Sequence, residues 1–207
     1  MSGLTPLLKL PLELRQQIYS YLILEDPVSH PIPAVGITSV SHTPPAAHLL
    51  VVNRQLKEEL QDYYFAMARW KLIFSHAFNF FRVDPTLAKL ESWTLLSRIQ
   101  KVEMVFFCDI LLLKEYPSFG LDNFCAEIKR RAARACEVLQ SAKDLRHITI
   151  SWIDTTDTGA WKDKAAIVGP LMCLSDTVQY QIGEITGPEG PDQVIFVGAI
   201  RKQLDMS

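Results

Sequence analysis

Residues 8–24 read LKLPLELRQQIYSYLIL, and the reading of the whole chain turns on them. Leu14, Ile18, Tyr21 and Leu22 fall at i, i+4, i+7 and i+8, the spacing that lines one face of a 3.6-residue helix. Glu13, Arg15, Gln16, Gln17 and Ser20 fill the opposite, solvated side. Pro11 suits the first helical position, where a missing N–H costs no hydrogen bond. Glu13 in the first turn complements the positive end of the helix dipole. Periodicity makes this a docking helix without naming what docks.

Working outward, residues 25–45 form an insertion in which Pro27, Pro31, Pro33, Pro44 and Pro45 stand among Ser, Thr, His and Gly36. Proline at this density stops a helix and removes strand donors. Segment 34–40 within it either pairs as a small hairpin or stays mobile. Residues 46–67 follow as a second helix, with Leu49, Val52, Leu56, Leu60, Tyr63 and Met67 along its apolar stripe. Asn53 lies beside that stripe, where it needs hydrogen-bond partners. Asn53 and Arg54 either contact a partner or cap or brace the Pro-rich insertion against the first helix. The second reading is preferred, since a polar group near a core usually satisfies backbone.

Leu10-Pro11-Leu12-Glu13-Leu14, followed by Ile18 and Tyr21-Leu22, resembles the opening of an F-box. More narrowly it resembles the fungal F-box-like families that open with Leu-Pro-x-Glu-Leu-Arg-x-x-Ile-Tyr-x-Tyr-Leu. Those families continue with Leu-Leu-x-Val-Asn-Arg-Gln. Here Leu49-Leu50-Val51-Val52-Asn53-Arg54-Gln55 stands in the same order, followed by Glu58-Glu59-Leu60. The likeness covers roughly the first third of the chain, which supports a family more than a function. It implies that the first helix pair docks on the Skp-type linker subunit of a cullin ubiquitin ligase through Leu10, Pro11, Leu14, Ile18 and Leu22. The remainder would then present a substrate protein. The insertion 25–45 departs from an ordinary F-box, which continues from its first helix after a short turn. The alternative is a non-catalytic scaffold or regulatory protein in which the same five residues pack on Leu56 and Leu60 within the chain.

From Trp70 onward short apolar segments alternate with longer helical patterns. Residues 70–74, 100–107, 145–153 and 177–185 read as strands. Residues 85–99, 122–141 and 161–168 read as helices. In 122–141, Asp122 stands as the cap, and Phe124, Ile128, Ala132, Ala135 and Leu139 form the stripe. Gly169-Pro170 interrupts the next helix, 171–174 adds a turn, and 187–191 is a turn. Residues 194–204 are assigned to a helix through Val197, Ile200 and Leu204, although Val-Ile-Phe-Val would also suit a strand. Such alternation implies βαβ units on a mostly parallel sheet. The strand cores near Val102, Ile148 and Val178 lie 46 and 30 residues apart. That exceeds the roughly 20–29 residues of a leucine-rich repeat and leaves a degenerate, repeat-like α/β layer. The expected fold class is therefore mixed α/β. An F-box-like helical module occupies 1–69, with its insertion at 25–45, and an α/β domain with a mostly parallel βαβ layer occupies 70–207.

Composition excludes several functions. The 207 residues are 48% hydrophobic and 21% charged, as in a folded chain. A net charge of −2 gives no overall electrostatic footprint for nucleic acid or an acidic membrane. The first residues lack a signal-peptide pattern. The apolar runs at 104–108 and 110–113 stop at Asp109 and Lys114, well short of the roughly 20 residues that span a bilayer. A cytoplasmic or nuclear protein is expected. Cys108, Cys125, Cys136 and Cys173 form no C-x-x-C pair and read as small hydrophobes. His30, His42, His48, His76 and His147 form no metal-binding spacing, and the three near the insertion read as solvated. No metal, cofactor or catalytic machinery is expected. Asp157-Thr158-Gly159 carries the tripeptide of aspartic proteases, but no second copy or preceding apolar strand accompanies it, and a polar turn explains it better. Lys129, Arg130, Arg131 and Arg134 spread around a helix beside Glu127 and Glu137, a solvated face. Phe74, Phe78, Phe80 and Phe81 read as core. An enzyme, if one were hidden here, would use Asp109, Asp154 and Asp157 near the carboxyl ends of the strands.

Overall fold

The alternating segments assemble into a six-stranded sheet whose strand order follows the chain, β1-β2-β3-β4-β5-β6. The computed structural model describes residues 6–32, 37–75, 90–110, 114, 118, 120–174 and 177–206. A 3-10 turn at Pro6–Lys9 leads into α1 (Leu12–Leu22). The strands are β1 (Val28–Ile32), β2 (Ile37–Val40), β3 (Arg69–Ser75), β4 (Lys101–Cys108), β5 (His147–Asp154) and β6 (Gln179–Thr186). The remaining helices are α2 (Ala47–Leu50), α3 (Arg54–Met67), α4 (Gly120–Leu139), α5 (Trp161–Ala165) and α6 (Gly190–Gln203). Strands β3 to β6 are parallel to one another, whereas β1 and β2 join β3 antiparallel. The insertion is thus a hairpin that extends the main sheet, with Val40 opposite Trp70.

Three cross-strand rows on one face explain the packing. Trp70, Val102, Ile148 and Tyr180 form the first row, and Leu72, Met104, Ile150 and Ile182 the second. Phe74, Phe106, Trp152 and Ile185 form the third. Phe106 stacks on Phe74 at 5.1 Å and on Trp152 at 5.5 Å, and Phe196 of α6 meets Trp152 edge-on at 4.9 Å. Aromatic stacking of this kind adds to the area term. The side chains from β3, β4 and β5 and Phe196 belong to one hydrophobic cluster that also holds Tyr19, Leu60, Phe124, Ile128, Ile167, Leu171 and Ile200, and Tyr180, Ile182 and Ile185 of β6 pack against it. The cluster therefore runs through residues on both sides of position 70.

Helix α4 buries the full expected stripe but begins at Gly120, so Asp122 lies within its first turn rather than at the expected cap. α6 buries Phe196, Ile200 and Leu204 while Val194 and Ile195 face water, so helical spacing wins over strand propensity there. Two expectations need correction. Residues 46–67 are not one helix: α2 ends at Leu50 and α3 restarts at Arg54. Asn53 Oδ1 accepts from the N–H groups of Gln55 (2.8 Å) and Leu56 (3.3 Å), which caps the new helix. Gly169-Pro170 does not break the chain's winding either. A 3-10 helix spans Ala166–Cys173 and continues α5 through both residues. Of the helix expected at 85–99, positions up to 89 lie outside the described residues. The rest contains a turn and a 3-10 segment, Leu96–Arg98.

Phe106 sits mid-ladder with no exposed surface. Phe106→Ala should therefore cost about 3–5 kcal/mol in urea unfolding, the range for truncating a buried aromatic.

Candidate protein-docking surface

Helix α1 separates its polar and apolar residues in an unexpected sense. Each residue advances about 100° around a helix. Arg15 and Tyr19, each one position after Leu14 and Ile18, thus mark a face turned about 100° from the apolar stripe. That face points inward: Arg15 and Tyr19 are the buried residues of α1. Leu14, Ile18 and Leu22 remain exposed, with Ile18 at 37% and Tyr21 at 81%. Pro11 is exposed and Leu10 half-buried. The expected placement of Arg15 on the solvated side is therefore wrong, and the five motif residues do not form the buried contact with Leu56 and Leu60.

Glu59 of α3 causes this orientation. Arg15 grips its carboxylate with two hydrogen bonds, Nε to Oε2 and Nη2 to Oε1, both 2.8 Å. Tyr19 Oη donates to Oε2 at 2.7 Å, and Gln55 Nε2 donates to Oε1 at 2.8 Å. Arg15 Nη1 also donates to the Leu10 carbonyl, which ties the entry loop to the helix. A bidentate guanidinium–carboxylate pair fixes orientation as well as distance. Its hydrogen bonds, foremost that from Arg15, hold the Glu59 carboxyl down at about 2, against the opposing effect of burial. Burial, followed by the Glu59 carboxylate, pushes the Tyr19 hydroxyl up to about 12. Tyr63 meets Tyr19 edge-on at 6.0 Å and closes the joint.

Helix α1 is thus clamped by polar contacts, and its greasy edge is left in water. Val51 and Val52, in the break just ahead of α3, are also exposed, Val51 at 83%. Arg54 beside the Asn53 cap is exposed and pairs with Glu58 within its own helix. A cluster of large apolar side chains left open on a helix is the form that helix-mediated protein recognition takes.

The acidic residues near the strand ends serve another purpose. Lys164 of α5 has no exposed surface, and its ammonium lies 2.6 Å from Asp154 Oδ2 and donates to Thr156 Oγ1 at 3.0 Å. The Trp161 ring lies 4.4 Å beneath it. Asp154 Oδ1 accepts from the Thr156 N–H (2.8 Å) and hydroxyl (2.6 Å). Gly187, at φ 115°, passes so close that a Cβ there would lie 2.5 Å from the Asp154 carbonyl oxygen. The carboxyl end of β5 is therefore filled by a closed ion pair. Asp157 is exposed at φ 52° in the loop that follows, with Gly159 at φ 64°, in keeping with a turn. Asp109 is half-buried after β4.

Other expected features fall as follows. Arg130 and Arg131 share Glu127, and Arg134 bridges Glu137 and Glu91. Arg131 is buried rather than solvated. His42 is buried too, bonded through Nδ1 to Ser41 Oγ at 2.7 Å, whereas His48 is exposed. Cys108 and Cys136 are buried, Cys125 is half-buried and Cys173 is exposed. Among the described residues no group of three His, Cys, Asp or Glu side chains is arranged to hold a metal ion. No described helix is long and apolar enough to cross a membrane. Comparison with protein-family models, curated proteins and solved structures found no match.

The clamp gives stability a pH dependence of definite sign. Glu59 is depressed from an ordinary 4.5 to about 2, so its contribution is complete above 4.5 and fades as pH falls towards 2. Glu59→Gln should melt below the parent at neutral pH, and this deficit should shrink through that window. A second expectation concerns Lys164. Lys164→Met alone should cost about 3–5 kcal/mol by orphaning Asp154, and adding Asp154→Leu should recover much of the loss in a double-mutant cycle.

Proposed function

We propose that this chain is an F-box-like adaptor. Its helix α1 docks on the Skp-type linker subunit of a cullin ubiquitin ligase, and the α/β layer presents a substrate protein to that ligase. Leu10, Pro11, Leu14, Ile18 and Leu22 are the docking residues. The observation that carries the reading is the open apolar edge of α1, held outward by the Arg15–Glu59–Tyr19 clamp. A helix stabilised through its polar side keeps its apolar side available for a partner. The two sequence signatures, one in α1 and the other spanning α2 and the start of α3, supply the identity of that partner. Such an assembly works in the cytoplasm or nucleus, and catalysis belongs to the ligase rather than to this chain.

The test is a pull-down of the purified linker subunit with parent and Ile18→Asp chains. A charge on this partly open edge should cost about 2 kcal/mol or more of binding, the scale of an interface hot spot. Folding stability should move by no more than about 0.5 kcal/mol, as for ordinary surface changes. If the parent chain captures no linker, the adaptor reading falls. If Ile18→Asp unfolds the protein, a purely structural helix is favoured instead.

A further inference from the structure

The second face of the parallel sheet carries an arrangement that the adaptor reading leaves unused. Its first cross-strand row is Arg69, Lys101, His147 and Gln179, all in direct register. Adjacent strands lie about 4.8 Å apart, so the cations of Arg69 and Lys101 stand side by side with the His147 imidazole next in the row, and like charges placed opposite one another are unfavourable. None of the three has a side-chain hydrogen bond or ion pair among the described residues. Their field reaches inward: burial lowers His42 below the usual imidazole range, Lys101 and Arg69 push the same way, and Glu25 opposes them. In the next row Glu103 is already taken, lying 3.5 Å from Lys71 and accepting from Ser151 Oγ at 2.8 Å.

Further along the same face the chemistry changes. Ile73 and Val105 stand in register, as do Phe107 and Ile153. Ile73 is 46% exposed, and Phe107 and Ile153 are half-buried. Val105 is covered, yet none of the four belongs to the core cluster or packs against it. Gly183 keeps the edge of this strip low, since a Cβ there would lie 2.4 Å from Ser151 Oγ. The face is thus a cationic row beside a short apolar strip.

We propose that this sheet face binds an acidic peptide segment of a partner protein, with carboxylates on Arg69, Lys101 and His147 and an apolar side chain on Ile73, Phe107 and Ile153. Charge complementarity selects this occupant, because Arg69 and Lys101 have no carboxylate partner among the described residues and an acidic segment would supply one. A nucleic acid would need a broader basic footprint and stacking aromatics. An acidic membrane would leave the register of the row without a purpose. Only the role of the bound segment, as the part of the substrate that is presented, rests on the adaptor reading.

The experiment uses the full chain and a fluorescein-labelled peptide in which Glu and Asp alternate with Val and Leu. A matched peptide with Lys in place of every acid is the control, and fluorescence anisotropy is the readout. The acidic peptide should bind and the Lys peptide should not. Arg69→Gln combined with Lys101→Gln should weaken binding about tenfold, as should Ile73→Ser with Phe107→Ser, and added salt should weaken it too. Circular dichroism melts confirm that each variant is folded, and the Gln pair removes charge without the risk of inverting it. Ile18→Asp should leave peptide binding unchanged, so a failed linker pull-down and a failed peptide titration are separate results. Equal binding of both peptides, no binding of either, or an unaltered affinity in the Gln pair overturns the proposal. So does tighter binding of duplex DNA or of phosphatidylserine vesicles than of the acidic peptide.

Discussion

The stacked rings of Phe74, Phe106 and Trp152, closed by Phe196, fix where the helices can lie. Three parallel strands contribute to that ladder in direct register, and α6 covers its end. Parallel sheets usually bury both faces beneath helices. Among the described residues the buried side chains of α1, α3, α4 and α6 gather with one face, in a single cluster. The other face consequently carries charged and polar groups at the amino ends of its strands and a few apolar groups further along. Both surfaces proposed for recognition follow from this one-sided covering: one is the back of the sheet, the other the edge of a helix packed on its front.

The clamp on Glu59 shows how polarity can orient a helix against its own hydrophobic pattern. A carboxylate that accepts from Arg15, Tyr19 and Gln55 stabilises only one rotation of α1. Leu and Ile side chains adapt to many packings, whereas a forked guanidinium does not. The apolar stripe of α1 is therefore displaced from the interior by a stricter interaction. Lys164 and Asp154 do similar work at the carboxyl end of β5. There a wholly buried pair joins the last residue of β5 to α5, and its value lies in specifying one arrangement more than in adding stability.

Features with a strong local period were legible from the residues alone. The stripe of α4, the alternation of β4 and β5, and the spacing of Val197, Ile200 and Leu204 each reported the correct element, although it is Phe196 rather than Val197 that α6 buries. The Asn53 cap was obscured because Leu49, Val52 and Leu56 keep helical spacing straight across the break. Burial of Arg15 was illegible for a different reason: its partner stands 44 positions away, beyond any local pattern. Lys164 and His42 were hidden in the same manner, since polar residues read as solvated until a neighbour in space satisfies them. The row of Arg69, Lys101 and His147 exists only through strand register, which the linear sequence does not display.

Strand order carries a further consequence. Each strand from β2 onward lies beside the one made just before it, so no strand waits for a distant segment to supply its neighbour. A growing polypeptide can therefore lengthen this sheet from one edge as it leaves the ribosome, and the entropy of closing very long loops is avoided. Every newly added strand is briefly the exposed rim until the next strand pairs with it.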